Sequence, residues 1–431
     1  MRGERQRGAA HGNPYLEILR APGAMAFSAA GVLARTPMAM FGLGTVLLIA
    51  SVTGRYGVAG TVAAAGSVGY AACAPQAAKL ADRFGQRRVL RPLALIFALS
   101  TIIFIGCAEL RTPLWALLLS GAVAGASMPS LGSMVRARWS ALLGDSPRLH
   151  TAFALESVND EVIFVLGPVI VTILATEVYP ASGVAAAMLL CVTGTLLLAA
   201  QRGTEPAPRN RPRPAAEPLP VMAPAPVADA VAGAGPGRFR PPAAGLTALA
   251  PIYWCLGVTF AAIDLSTIAF AQEHGHKPLA GLILGSYALG SAVGGLLYGS
   301  RSWRTPVERR FMITLCCAVA GISTFWAQPG LLSLSAVIFL SGLAISPTFI
   351  AGYSLVERQA PVRRRTEGMA WLSSSISVGV AVGSAIAGHI IDAAGARWGY
   401  AFAAASGLAA VVTCLLGVSR LRLARPAGVP T

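Results

Sequence analysis

Apolar residues fall in long runs along this chain, and polar residues collect between them. Twelve runs are long enough to be read as bilayer-crossing helices, which need roughly 20 apolar residues each. They lie at about 24–51, 58–78, 90–109, 114–135, 151–175, 182–201, 249–270, 279–299, 310–328, 331–354, 368–392 and 400–419. None alternates with period two, so membrane-spanning β-strands are excluded. Between runs six and seven the pattern fails. Residues 202–248 hold eleven prolines and six arginines, a composition that neither forms helix nor packs. The pattern predicts an all-α membrane protein: a cytoplasmic tail at 1–23, a six-helix bundle at 24–201, a flexible Pro/Arg-rich cytoplasmic linker at 202–248, a second six-helix bundle at 249–419, and a cytoplasmic tail at 420–431.

Composition excludes the common alternatives. The 431 residues are 55% hydrophobic and only 12% charged, about half the usual charged share of a soluble domain. The net charge of +16 would suggest nucleic acid in a soluble protein, but the distribution argues otherwise. With the N-terminus placed in the cytoplasm, 29 of the 34 Lys and Arg residues fall in cytoplasmic segments and four, Arg55, Arg111, Lys277 and Arg397, fall outside. That asymmetry follows the positive-inside rule and places both termini in the cytoplasm. The arginines then face anionic lipid head groups rather than DNA. The seven cysteines lie inside apolar runs without metal-ligand spacing, and no cofactor or metal site is expected. No GxxxxGK[ST] loop occurs, so the chain is not expected to use ATP.

The two halves resemble each other at an offset of about 215 to 221 residues, the smaller value from Thr151–Gly167 against Thr366–Gly383. Ser120-Gly121, followed by Met128-Pro129 and Gly132, parallels Ser341-Gly342, followed by Ser346-Pro347 and Gly352. Repeats running in the same direction imply two bundles related by an axis along the membrane normal. The loop after the second run reads Asp82-Arg83-Phe84-Gly85-Gln86-Arg87-Arg88. With the twelve runs, the linker and the half-chain repeat, it resembles the signature of the major facilitator superfamily, although Ala78 stands where that signature has its leading Gly.

The resemblance implies the major facilitator fold and secondary transport of a small molecule by alternating access, without enzymatic activity. It also implies that the Asp82 carboxylate meets the N-terminus of helix 11, near Thr366, when the cytoplasmic side is closed. Gly167-Pro168 in helix 5 is similar to part of a motif associated with antiporters in this superfamily, and Pro168 should kink that helix.

Ionisable groups inside a span are costly and are candidates for function. Arg35 in helix 1 and Asp160 in helix 5 lie at matching depths, roughly 16 and 14 Å from the cytoplasmic ends. Glu156 shares a helix face with Asp160. The expectation is an Arg35–Asp160 or Arg35–Glu156 pair facing the cavity, acting either in proton coupling or as a permanent tie between helices. Asp264 in helix 7 has no basic partner in its half and is a second candidate, for proton coupling or for contact with a cationic substrate. His389 and Asp392, three residues apart, are expected to touch at the outer end of helix 11.

The leading reading is proton-coupled efflux of small, largely apolar compounds, such as drugs or secondary metabolites. Only two of the 34 basic residues are lysine, and with abundant Ala and Gly this suggests a bacterial plasma membrane. The protein is expected to act as a monomer. Proton symport of a metabolite, and a non-transporting membrane sensor or scaffold, are the alternatives.

Overall fold

The computed structural model describes residues 14–144, 146, 148–207, 244–301, 303–359 and 365–422; side chains are described at these positions except 14, 150, 244–248, 357–359, 365–371 and 418–422. Regular structure among the described residues is helical throughout. Among the described residues twelve helical spans have the length and apolarity to cross a membrane. They are Ala24–Thr53, Tyr56–Phe84, Gln86–Glu109, Leu114–Leu143, Thr151–Val178, Ser182–Ala200, Leu249–Glu273, Leu279–Gly299, Val307–Ala327, Leu331–Val356, Leu372–Ala394 and Ala396–Gly417, numbered here spans 1 to 12.

The packing repeats with the sequence. In the first half, span 2 packs on 4, span 3 on 6, and span 1 on 5 and 6. In the second half, span 8 packs on 10, span 9 on 12, and span 7 on 11 and 12. Adding six to every partner of the first set produces the second. The same rule relates the two contacts across the halves, span 5 on span 8 and span 2 on span 11. Two six-helix bundles with pseudo-twofold symmetry follow directly.

Spans 1, 4 and 10 are broken within their length, and each of these breaks has a local cause. Span 1 consists of Ala24–Arg35 and Pro37–Thr53. Pro37 has no N–H to donate, so the first segment stops in front of it. Span 4 stops at Ser127 and resumes at Leu131. Met128 is extended, as a residue before proline prefers. Its counterpart, span 10, stops at Gly342 and resumes at Ile345, with Pro347 in the first turn of the new segment, where a missing donor costs nothing. Of the positions that repeat in the sequence, Pro129 and Pro347 therefore lie at or beside the interruptions, while Ser120-Gly121 sits within an unbroken segment.

Both ends of the first bundle reach further than hydropathy indicates. Pro14–Leu19 forms a short helix whose Ile18 is buried with Phe27 and Trp139. Beyond span 6, Glu205 accepts the Arg87 backbone N–H at 2.9 Å and Thr204 accepts a hydrogen bond from Arg138 at 2.9 Å. These residues belong to the bundle rather than to a linker starting at 202.

An even number of spans returns the chain to the side on which it began. At this terminal end each bundle has its own apolar core. At the distal end one continuous core joins both bundles, including Leu47 and Val62 from the first, and Ile268, Ala387 and Tyr400 from the second. The halves are thus closed against each other distally.

Candidate functional site

A cavity of about 510 Å³ lies between the halves at mid-depth, where the joined core ends. Spans 1, 2, 4 and 5 of the first bundle and spans 7, 8 and 11 of the second contribute to its walls. The broken spans 1 and 4 bring Pro37 and Met128 to its surface, and Pro168 of span 5 lies beside them. Most of the wall is aliphatic or aromatic. Phe41, Tyr70, Phe164, Phe260 and Tyr287 supply rings.

Asp264 is the one charged residue among those lining this cavity, and its side chain is exposed to it. Among the described residues no hydrogen bond or ion pair reaches its carboxylate. Among the described residues the hydroxyl oxygens of Thr45 and Tyr287, residues that also line the cavity, are buried without a hydrogen-bond partner. The cavity therefore presents one carboxyl group within an apolar enclosure.

Arg35 meets both of its expected partners. One guanidinium nitrogen donates to Glu156, and the other donates to Asp160 at 2.7 Å. The pair does not face the cavity as the sequence suggested. Arg35 is 1% exposed and Glu156 0%, and neither lines the cavity. Arg35 ends a helical segment, where a cation favours the carboxyl-terminal dipole, and its Nε donates to the Gly31 carbonyl at 3.1 Å. Its head group lies in the bundle interior, between spans 1 and 5.

Glu156 is saturated there, with Ser28 and the Trp139 indole each donating at 2.8 Å. Trp139 is itself held edge-on against Phe27, ring centres 4.7 Å apart. Asp160, 31% exposed, binds a second guanidinium, that of Arg136, at 2.9 Å. The reach of Arg136 from span 4 to span 5 is a tertiary property that the sequence does not display.

Glu161 occupies a different face of span 5. It accepts a hydrogen bond from Ser346 at 3.3 Å, across the halves, and Ser346 lies 2.8 Å from Ser291 of span 8. Ser346 reaches it because span 10 restarts at Ile345. Gly167 packs against Ala39 and Met40 of span 1, and Gly281 of span 8 packs on the Pro168 carbonyl and Thr172. Small residues here let the backbones of spans 5 and 8 meet.

The Asp82–Arg88 segment lies at the terminal end. Asp82, Arg83 and Arg88 are exposed, with the Arg83 guanidinium 5.1 Å from the Phe84 ring centre. Gly85 turns the chain at φ 95°, between spans 2 and 3. Arg87 contributes its backbone N–H to Glu205. Among the described residues nothing hydrogen-bonds to Asp82; the side chains around Thr366 lie outside them. Gln86 is the buried member of the segment, overlooked in the sequence. It donates to the Met134 carbonyl at 3.0 Å and accepts from Arg138 at 2.8 Å. Arg138, fully buried, also donates to the carbonyls of Leu198 and Gln201 at the end of span 6.

The distal end carries the mirror arrangement. Asp392, near the end of span 11, accepts the backbone N–H groups of Tyr56 at 2.7 Å and Gly57 at 2.8 Å, the first residues of span 2. Tyr56 also donates its hydroxyl to Gln272 of span 7 at 2.7 Å. His389 instead contacts its own Ala385 carbonyl at 2.7 Å, so the expected His389–Asp392 contact gives way to a latch between the halves. The sequence signal was present: Asp392-Ala393-Ala394-Gly395 repeats the spacing of Asp82-Arg83-Phe84-Gly85, and Gly395 turns at φ 89°.

Gly60 and Gly388 allow the closure, since a Cβ at either would collide with the backbone of the other half. Among the described residues there is no group of His, Cys, Asp and Glu suited to hold a metal ion.

Comparison with known proteins places this geometry. No curated protein matches the sequence. Solved structures with the same fold include a point mutant of the nucleoside transporter NupG (TM-score 0.67, 14% identity, 91% of this chain and 99% of that one). A bacterial homologue of the iron transporter ferroportin, in an inward-facing state, has TM-score 0.66 and 15% identity over 92% of this chain and 98% of that one. The human organic anion transporter MFSD10 (TETRAN) has TM-score 0.61 and 17% identity over 94% of this chain and 100% of that one. The model of the Major Facilitator Superfamily matches residues 27–271 and 249–431, and with twelve spans in two equivalent bundles around one central cavity the chain belongs to that superfamily of secondary transporters.

Proposed function

We propose that this transporter exports small, largely apolar compounds from the cytoplasm of a bacterial cell in exchange for protons. The observation that carries the reading is the composition of the central cavity: about 510 Å³ with mostly apolar walls and Asp264 as its one charged lining residue. Such a wall gains little from a sugar or other highly hydroxylated solute, which would leave many polar groups unpaired. The basic residues support placing the terminal end in the cytoplasm, so the distal closure would be the state that loads from inside. Rocking of the bundles would close the terminal end, with Asp82 meeting the start of span 11, and release Asp392 from span 2.

Proton coupling is assigned to carboxylates whose surroundings change in that motion. Asp264 borders the cavity, and Glu161 has its hydrogen-bond donor, Ser346, on the opposite half. The Arg35–Glu156 pair is contained within one bundle and serves as its internal tie. Inside-out membrane vesicles containing the overproduced chain, energised by respiration and offered a panel of lipophilic fluorescent compounds, test the proposal. Uptake that an uncoupler abolishes is expected. Uptake unaffected by the uncoupler removes proton coupling, and accumulation by right-side-out vesicles alone replaces export with symport.

A further inference from the structure

We infer that the central site takes organic cations, with Asp264 as counter-ion and a series of aromatic rings on the second bundle as the approach. The inference rests on the transport reading above and specifies its substrate class. Three observations support it. First, the Asp264 carboxylate is exposed within an apolar cavity, with no donor among the described residues and no basic residue on the wall. A carboxylate in that setting lacks compensation, and a cationic ligand would supply it. An anionic ligand would find no counter-charge and would meet a like charge instead.

Second, the rings beside it form a connected series. Phe260 precedes Asp264 by four residues, so the two share a face of span 7, one turn apart. The Phe260 ring centre is 6.4 Å from that of Tyr287 and 5.9 Å from that of Phe349, and it stacks on Phe349 at 23°. Phe349 is 6.3 Å from Tyr353, a turn further along span 10. Span 7 runs away from the terminal end and span 10 runs towards it, so the series Tyr353, Phe349, Phe260, Tyr287 leads from the terminal side to Asp264. These four rings are only partly buried, unlike Tyr253 behind them, which is 0% exposed. Spacings near 6 Å match the distance over which a ring face attracts a cation.

Third, among the described residues no basic group is coupled to Asp264; the groups that feel its charge are the phenols of Tyr287 on span 8 and Tyr400 on span 12. The Tyr400 hydroxyl is already engaged, donating to Thr267 at 2.9 Å.

Tetraphenylphosphonium and tetraphenylborate share a shape and differ in the sign of charge, and they serve as probes. Binding of each to the full-length chain in detergent is measured by equilibrium dialysis. Tetraphenylphosphonium is expected to bind at least tenfold more tightly than tetraphenylborate. Asp264→Asn should weaken tetraphenylphosphonium at least tenfold, and Asp264→Glu should stay within threefold of the parent chain. Phe349→Leu, outside the cavity wall, should slow tetraphenylphosphonium association and dissociation alike, severalfold in stopped-flow mixing, and leave the affinity from dialysis unchanged. Equal binding of the two ions by the parent chain overturns the substrate class, whether or not the variants fold. Undiminished binding by Asp264→Asn overturns the counter-ion. An unchanged association rate in Phe349→Leu overturns the approach. Charge-selective binding without export in vesicles would remove the transport direction alone. Export of a neutral compound without charge selection would remove the cation site alone.

Discussion

Replacing Asp392 with Ala should open the distal end of the transporter. The carboxylate accepts two backbone N–H groups at 2.7 and 2.8 Å from the first turn of span 2. It thereby satisfies donors that a helix start leaves unpaired. Loss of a side-chain cap costs about 0.5–2 kcal/mol, and the interaction of an anion with the helix dipole falls in the same range. These two descriptions overlap, so we take about 1–2 kcal/mol for the whole contact. Because it bridges the halves, it exists only when the distal end is closed, and all of it enters the conformational equilibrium. At about 1.4 kcal/mol per factor of ten, the distally closed population should fall by roughly 5- to 30-fold relative to the open one.

Spin labels at Leu114 and Leu332, at the distal starts of spans 4 and 10, would report this as a growing long-distance component in pulsed dipolar spectroscopy. The seven native cysteines would first be replaced. Asp392→Asn keeps one accepting oxygen and should fall between the two. Superimposable distance distributions for the parent chain and Asp392→Ala would refute the latch. Asp82→Ala, lacking the opposing contact at the terminal end, should move the distribution the other way or leave it unchanged; a shift in the same direction as Asp392→Ala would contradict the mirror relation.

Glu156→Ala leaves the Arg35 guanidinium buried with only Asp160, and thermal unfolding in detergent should show a loss of about 3–5 kcal/mol. Asp160→Asn should cost less, because that carboxylate is 31% exposed; an equal or larger loss would count against the assignment of Glu156 as the internal tie. Gly388→Val inserts a side chain where span 11 meets the Tyr56 backbone, and transport should fall sharply while membrane insertion, read by fractionation, is retained. Ser346→Ala removes the one hydrogen-bond donor to Glu161 among the described residues, worth about 1 kcal/mol, and should shift the pH dependence of vesicle transport; an unmoved profile would separate Glu161 from proton coupling.

The sequence by itself determined the twelve spans, the two equivalent bundles and the membership in a transporter family. These follow from properties summed over many residues: twenty apolar side chains in a row admit few solutions in lipid, and a repeated order of helices imposes repeated packing. Arg35 with Glu156 or Asp160 was legible too, because depth along a helix is a count of residues. The direction in which Arg35 points was not. It depends on how spans 1 and 5 are rotated against each other, which hydropathy does not record, and the packing makes an expected cavity charge into a buried tie. Asp392 shows the same division. Its spacing to Gly395 repeats that of Asp82 to Gly85, yet its partner, the start of span 2, lies more than 330 positions away in the chain. Only the meeting of the two bundles, permitted where Gly57, Gly60 and Gly388 leave room for backbone against backbone, decides which polar groups face each other. The isolation of Asp264 among the described residues is likewise a property of the assembled cavity, since the sequence speaks only to the lack of a basic partner in its own half, and the other half is brought to it by the packing.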